Sequence, residues 1–247
     1  MNTMPKTDDK NLPIMSVEEV GKARAFHKSF PQYSVTPLVE LKEMAEYLGL
    51  GKVMIKDESY RFGLNAFKVL GGSYAMARYI ADETGKDVSE LPYNVLTSEQ
   101  LKKEFGQATF FSATDGNHGR GVAWSANKLG QKSVIFMPKG STLTRLNNIK
   151  AEGATATIET VNYDECVRMA AAAAAKTKHG VVVQDTAWEG YEKIPAWIME
   201  GYGTMASEAD EQYGERPTHI FVQAGVGSLA GAVVGYFSNR YKDNPPT

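Results

Sequence analysis

Cysteine is almost absent: Cys166 is the only one in 247 residues, which excludes an intrachain disulfide and a cysteine-built metal cluster. An excess of either charge is lacking too. Lys and Arg number 27 against 29 Asp and Glu, a formal net charge of -2, so no global field gathers nucleic acid or an anionic membrane, and neither is expected as a partner. No apolar run approaches the ~18 residues of a membrane span. Residues 1–11, MNTMPKTDDKN, contain no apolar core of a signal peptide, and a cytoplasmic enzyme is the expectation. His27, His118, His179 and His219 are scattered, without metal-ligand spacing. What remains is 43% hydrophobic and 23% charged, the usage of a globular chain long enough to bury a core without staples. Any anion it binds must be held locally.

The apolar pattern predicts a covering helix over residues 17–30, with Val20, Ala23, Phe26 and His27 on one face. Thr36 and Pro37 read as a helix start, followed by a face of Leu38, Leu41, Ala45 and Leu48. KVMIKDE reads as a strand, and residues 68–80 as a helix with small residues on its first turns. From Ala108 the period alternates between two and 3.6. The predicted strands are ATFFSA, SVIFMP, ATATIE, VVVQD and THIFVQ, separated or followed by helices near 117–129, 142–152, 163–178, 194–213 and 228–241. Strands alternating with long helices imply parallel pairing with helices on both faces, an α/β fold. The run Ala170 to Ala175 is read as a helix packed closely on a neighbour. Polar residues and Pro92 make 81–107 the place for a weak boundary.

Four segments carry residues suited to chemistry. Gly225, Val226, Gly227, Ser228 and Leu229 lie between a predicted strand and a helix, where inward N–H groups and the helix end make a phosphate cradle. No Gly-Lys-Ser or Gly-Lys-Thr follows, which excludes a nucleotide P-loop. No second strand follows to present a ribose-binding acid, which weakens a dinucleotide reading. A small phosphorylated cofactor fits better. Lys68 sits among Phe67, Val69 and Leu70, where partial desolvation frees its amine for a Schiff base, although most single lysines lie on the surface. Thr114, Asp115, Gly116, Asn117 and His118 end a strand and open a helix, serving either as a cap or as a ligand loop. Asp185 ends the strand VVVQD, where an acid serves a site or simply begins a loop.

Taken in order, N-x-F-K, G-N-H-G and the later glycine loop resemble the fold type II pyridoxal-phosphate enzymes, the tryptophan synthase β-like kind, which include the serine and threonine dehydratases. The longer strings K-D-E-S-x-R-F-G-L-N-A-F-K, T-D-G-N-H-G-R-G-V-A-W, Q-D-T-A-W-E-G-Y-x-K-I-P and Q-A-G-V-G are similar to the diaminopropionate ammonia-lyase family within that group. The resemblance implies a lyase that releases pyruvate and two ammonias from a small amino acid, 2,3-diaminopropionate, and that works as a homodimer. It implies pyridoxal phosphate on Lys68 as a Schiff base, with Asn117 at the pyridine hydroxyl and residues 225–229 at the phosphate. Asp115 and Asp185 are expected as acids that manage substrate protons, and Thr114, Asp115 and His118 as substrate contacts. Three-layer parallel-sheet domains are implied: a large domain from 1–80 and 179–247, and a small inserted one over 81–178. Members of that family continue beyond the point where this sequence stops, so its large-domain sheet is expected to be incomplete. A hydroxyl-eliminating dehydratase and an inactive binding remnant are the alternatives.

Overall fold

The computed structural model describes residues 12–247, and the polar segment 1–11 lies outside them. Ser16 opens the first long helix, α1 (Val17–Lys28), by accepting a hydrogen bond from the Glu19 amide at 3.2 Å. Val20, Ala23, Phe26 and His27 are its buried face, as the spacing predicts. The next segment departs from its pattern. Leu38 belongs to a strand, β1 (Leu38–Glu40), and the helix begins later, as α2 (Lys42–Leu48). β1 pairs antiparallel with β2 (Met54–Lys56). Thr36 is unavailable as a cap because it is fully buried: its hydroxyl donates to Glu58 at 2.6 Å and its carbonyl accepts from Lys56 at 2.7 Å. Of the expected apolar face of α2, only Ala45 is buried.

The lysine-bearing helix is α3 (Lys68–Thr84), closed by Gly85 in the left-handed region at φ 64°. The predicted boundary region holds two short helices, α4 (Tyr93–Leu96) and α5 (Glu99–Phe105). The alternating part then folds as read: β3 (Thr109–Ala113), α6 (Asn117–Lys128), β4 (Lys132–Met137), α7 (Leu143–Ala151), β5 (Thr155–Ile158), α8 (Tyr163–Ala175) and β6 (Gly180–Val182). The sheet order is β5-β4-β3-β6, every pair parallel. Its two faces are separately buried, giving three layers. Phe110, Ile135 and Met137 face the main core with α6, while Phe111, Val134, Phe136 and Val182 pack on Ala170, Ala173 and Ala174 of α8. The alanine run is thus a close helix-on-sheet contact.

Two helices complete the body, α9 (Lys193–Tyr213) and α10 (Ser228–Arg240). With α1 and α3 they bury Tyr74, Trp197, Ile198, Tyr202 and Phe237 in one core. THIFVQ forms no strand, contrary to its pattern. A strand is defined by a neighbour, and among the described residues the backbone of 218–220 bonds only to Thr247, from Ile220 N–H at 2.9 Å and to the Thr218 carbonyl at 3.0 Å. Phe221 is accordingly 95% exposed. The expected parallel sheet of the larger domain is therefore not assembled among the described residues; the other sheet there is the β1–β2 pair.

A buried ion cluster ties these parts together. Arg61 donates to Glu208 at 2.7 and 2.9 Å, to Glu58 at 2.8 and 2.9 Å and to Ser34 O at 3.2 Å, while Lys56 reaches Glu208 at 2.8 Å. Burial pushes the Glu208 carboxyl up, but Arg61 and Lys56 outweigh it and hold it at about 2. Burial also pushes His27 down to about 3 and Glu200 up to about 7. Unfolding returns Glu200 and Glu208 to about 4.5 and His27 to about 6.5. Acidification below pH 6.5 then costs stability through His27, and below pH 4.5 through Glu208, because the unfolded chain binds those protons first. Glu200 works oppositely, gaining stability as pH falls from about 7 to 4.5. The urea midpoint is expected to stay nearly level between pH 7 and 4.5 and to fall steeply below. In Glu200→Gln the decline should begin near pH 6.5; an unchanged profile in that variant contradicts the compensation.

Candidate active site

Lys68 opens α3 at the end of a constrained loop. Phe62 and Asn65 both adopt positive φ, 49° and 56°, a conformation costly for residues other than glycine. Neighbours over-determine it. Arg61 is fixed by the ion cluster, and the Phe62 ring lies 4.9 Å from Trp124 and 5.7 Å from Phe30. The first turn of α3 is then gripped from both sides. On α6, a Cβ at Gly121 would fall 2.9 Å from Val69 N and 3.2 Å from the Lys68 carbonyl carbon. On α9, a Cβ at Gly201 would fall 2.4 Å from the Leu70 carbonyl oxygen. Both helices approach the lysine so closely that any side chain is excluded.

The ammonium of Lys68 is ion-paired with the carboxylate of Asp185, a residue 117 positions away. Asp185 is placed by the end of the sheet. The side-chain amide of Gln184 extends the ladder beyond β6, accepting from Ala113 N–H at 3.1 Å and donating to Ala113 O at 3.0 Å. Tyr191 folds the following loop back, accepting from Gln184 N–H at 2.8 Å and donating to Val182 O at 2.9 Å. Asp185 is 3% exposed. Burial raises its carboxyl, but the neighbouring basic side chains His118 and Lys68 prevail and hold it below the ordinary range. The charged pair is therefore the resting form.

Ser228 connects the glycine loop to this pair, its buried hydroxyl donating to the Asp185 carbonyl. Gly227 precedes α10 in the left-handed region at φ 96°, and a Cβ at Gly225 or Gly227 would meet nothing within 4 Å. No side chain among the described residues caps the first amides of α10, which leaves them available to an anion. Val226 is half exposed there, and Leu229 packs against the core.

The Thr114–His118 loop divides its residues among different tasks. Thr114 is buried and its hydroxyl oxygen accepts from Gly116 N–H at 3.0 Å and Gly119 N–H at 3.2 Å, so it shapes the entry to α6. Asn117 is exposed at the first position of α6. His118 points inward, its Nε2 on Val183 O at 2.9 Å and its Nδ1 3.8 Å from Asp185. Asp115 stands apart from the Lys68–Asp185 pair. Its side chain is 76% exposed and faces Arg145 at 3.6 Å. The structure therefore joins Lys68, Asp185, His118 and Ser228 directly, and leaves Asp115 and Asn117 on the open side.

Gly121 lies within the T-D-G-N-H-G-R-G-V-A-W string and Gly201 outside the quoted motifs, and the positioning role of both is visible only where helices meet. Gly121→Ala is expected to force α3 away from α6, costing about 1–3 kcal/mol of stability and lowering turnover on the order of 10²-fold by displacing Lys68. Gly72→Ala, whose Cβ would meet Val122 at an ordinary 3.6 Å, is the control. Equal effects of the two in steady-state assays would contradict the positioning role.

An amine paired with a buried carboxylate, next to a helix end that accepts an anion, suits a small phosphorylated carbonyl compound. The family profile of pyridoxal-phosphate dependent enzymes matches residues 30–247. Among curated proteins, diaminopropionate ammonia-lyase of Salmonella typhimurium is 54% identical over 226 residues, covering 90% of this chain and 56% of that protein. Diaminopropionate ammonia-lyase of Escherichia coli is 48% identical over 234 residues, covering 93% of this chain and 57% of the relative. The crystal structure of the Escherichia coli enzyme in complex with D-serine aligns with a TM-score of 0.87 at 46% identity, over 96% of this chain and 60% of that one. The chain thus spans little more than half the length of the curated relatives it matches.

Proposed function

This chain belongs to the pyridoxal-phosphate dependent enzyme family, and from that premise we propose that it works as an ammonia-lyase on 2,3-diaminopropionate. The observation that carries the reading is the Lys68–Asp185 pair set beside the open N-terminus of α10. The residues present fit the cofactor: a single lysine held in the site for its carbonyl, free backbone amides for its phosphate, and a buried histidine nitrogen without a partner among the described residues. When bound, the cofactor supplies the electron sink for the pair left by loss of an α-proton.

The chain's own residues supply the rest. Lys68 anchors the cofactor and, once freed, takes the α-proton at Nζ. Residues 225–229 hold the phosphate, and Asn117 reaches the pyridine hydroxyl. Asp115, exposed at the mouth, receives the substrate and manages protons from the side away from Lys68. Asp185 pairs with the second amine of the substrate after parting from Lys68, a charge-assisted contact that a hydroxyl substrate does not make. Thr114 and His118 shape the substrate's side of the pocket. The Cβ–N bond breaks with its electron pair on nitrogen, as the α-carbon's former C–H pair becomes the new double bond. A site of this kind lies between a large part, 1–80 with 179–247, and a small part, 81–178, and a second copy is the expected partner. Two of the named relatives carry the same activity in their names, which supports this substrate over serine or threonine.

The test is substrate comparison with the cofactor-loaded protein. Pyruvate and ammonia should form from diaminopropionate with kcat/KM at least about 10²-fold above serine or threonine, because a site built around a charged partner rejects the isostere lacking it. Preference for serine or threonine would make it a dehydratase. No product from any of them would favour a binding remnant.

A further inference from the structure

His118 carries a tautomer that the structure fixes. Val183 O is an acceptor only, so the Nε2 facing it at 2.9 Å must bear the hydrogen and donate. In the neutral ring Nδ1 is then a bare lone pair. It is buried, has no hydrogen-bond partner among the described residues, and points at the Asp185 carboxylate 3.8 Å away. Two acceptors facing each other in a dry site are tolerated only while another group neutralises the carboxylate. Lys68 does this now.

The other ionisable groups around Asp185 cannot replace it. Tyr163 of α8, Tyr191 of the following loop and Tyr202 of α9 all lie near enough for its charge to add to burial in raising their phenols, and none can become a cation. Among the described residues, Lys68 and His118 are the two basic side chains within ion-pair distance of Asp185. A reacting Lys68 must first lose a proton, since an ammonium has no lone pair to give a carbonyl carbon. That loss leaves Asp185 buried and unpaired unless a positive charge appears beside it.

We propose that His118 is the proton-holding partner of Lys68, acting through Asp185: as Lys68 becomes a free amine, its proton passes by way of the Asp185 carboxylate to Nδ1 of His118. One N–H bond breaks at Lys68 Nζ and one forms at His118 Nδ1. Net charge is unchanged, and Asp185 exchanges one cationic partner for another. The imidazolium then donates from both nitrogens, to Val183 O and to Asp185. This deepens the reading of Lys68 as the reacting amine, but its first test is made on the cofactor-free protein, so failure there leaves that reading standing.

The experiment is imidazole ¹⁵N NMR of the cofactor-free protein at pH 7.5, with His118→Gln identifying the signal among four histidines. In the wild type, His118 should show one bare and one protonated nitrogen. In Lys68→Met, and equally in Lys68→Gln should the first fail to fold, both nitrogens should be protonated at the same pH. Adding Asp185→Asn to either should return the neutral ring. The proposal is overturned if His118 keeps its bare nitrogen in both lysine variants, or is already doubly protonated in the wild type. A second reading uses His118→Gln, whose amide can keep the Val183 bond. It should attach pyridoxal phosphate at least about tenfold more slowly by stopped-flow absorbance, whereas a purely structural histidine would leave that rate unmoved.

Discussion

Lys68→Ala is expected to eliminate the absorbance band of lysine-bound pyridoxal phosphate and to lower turnover by on the order of 10³-fold or more, because on the proposed reading it removes both the covalent anchor and the amine that takes the α-proton. The fold should survive. Lys68 lies at the rim of α3 and its partner Asp185 is the group left exposed to the loss, so the destabilisation falls on one buried carboxylate. For Asp185→Asn the complementary result is expected: the cofactor band persists and turnover falls about 10²-fold, since the lysine remains but its partner no longer carries charge. Absorbance spectra and pyruvate assays on the two variants separate these effects. A normal band in Lys68→Ala contradicts the assignment of the anchor.

Arg61→Ala destabilises the protein by about 3–5 kcal/mol, the cost of leaving a buried acid without its partner. Arg61 is 1% exposed, and Glu208, with no exposure at all, would keep among the described residues Lys56, the Tyr33 hydroxyl at 2.7 Å and the Thr36 hydroxyl at 3.4 Å. Glu208→Ala should do the same from the other side, and the double variant should cost less than the sum of the two. Urea unfolding of the four proteins gives the coupling. Losses below about 1 kcal/mol for either single change would mean that the cluster is replaceable and that the strained approach to Lys68 is held by the Phe62 packing alone.

The part of this fold legible in the sequence is the part set by local period and punctuation. The alternation from β3 to α8 announces itself because the central strands β3 and β4 bury one face against α6 and the other against α8. The glycines before α10 are legible for the same reason, since an open helix end needs them nearby in the chain. The Lys68–Asp185 and Arg61–Glu208 pairs are not, with partners 117 and 147 residues apart and no local signal. Thr36 shows the limit clearly: its sequence context reads as a cap, while the fold spends its hydroxyl and carbonyl on Glu58 and Lys56. Phe221 shows the converse, a strand pattern without a neighbouring strand. At the site, the motifs brought Lys68, His118, Asp185 and Ser228 to one place, but gave Asp185 no partner and Gly121 no task.

On the proposed reading, one lysine of this chain, Lys68, carries the cofactor. Borohydride reduction of the protein saturated with pyridoxal phosphate, followed by proteolysis and mass spectrometry of the peptides, tests it most directly. A single pyridoxyl group on the peptide containing Lys68, absent in Lys68→Ala, is the expected result. A label found on another lysine, or spread over several with none preferred, would contradict it.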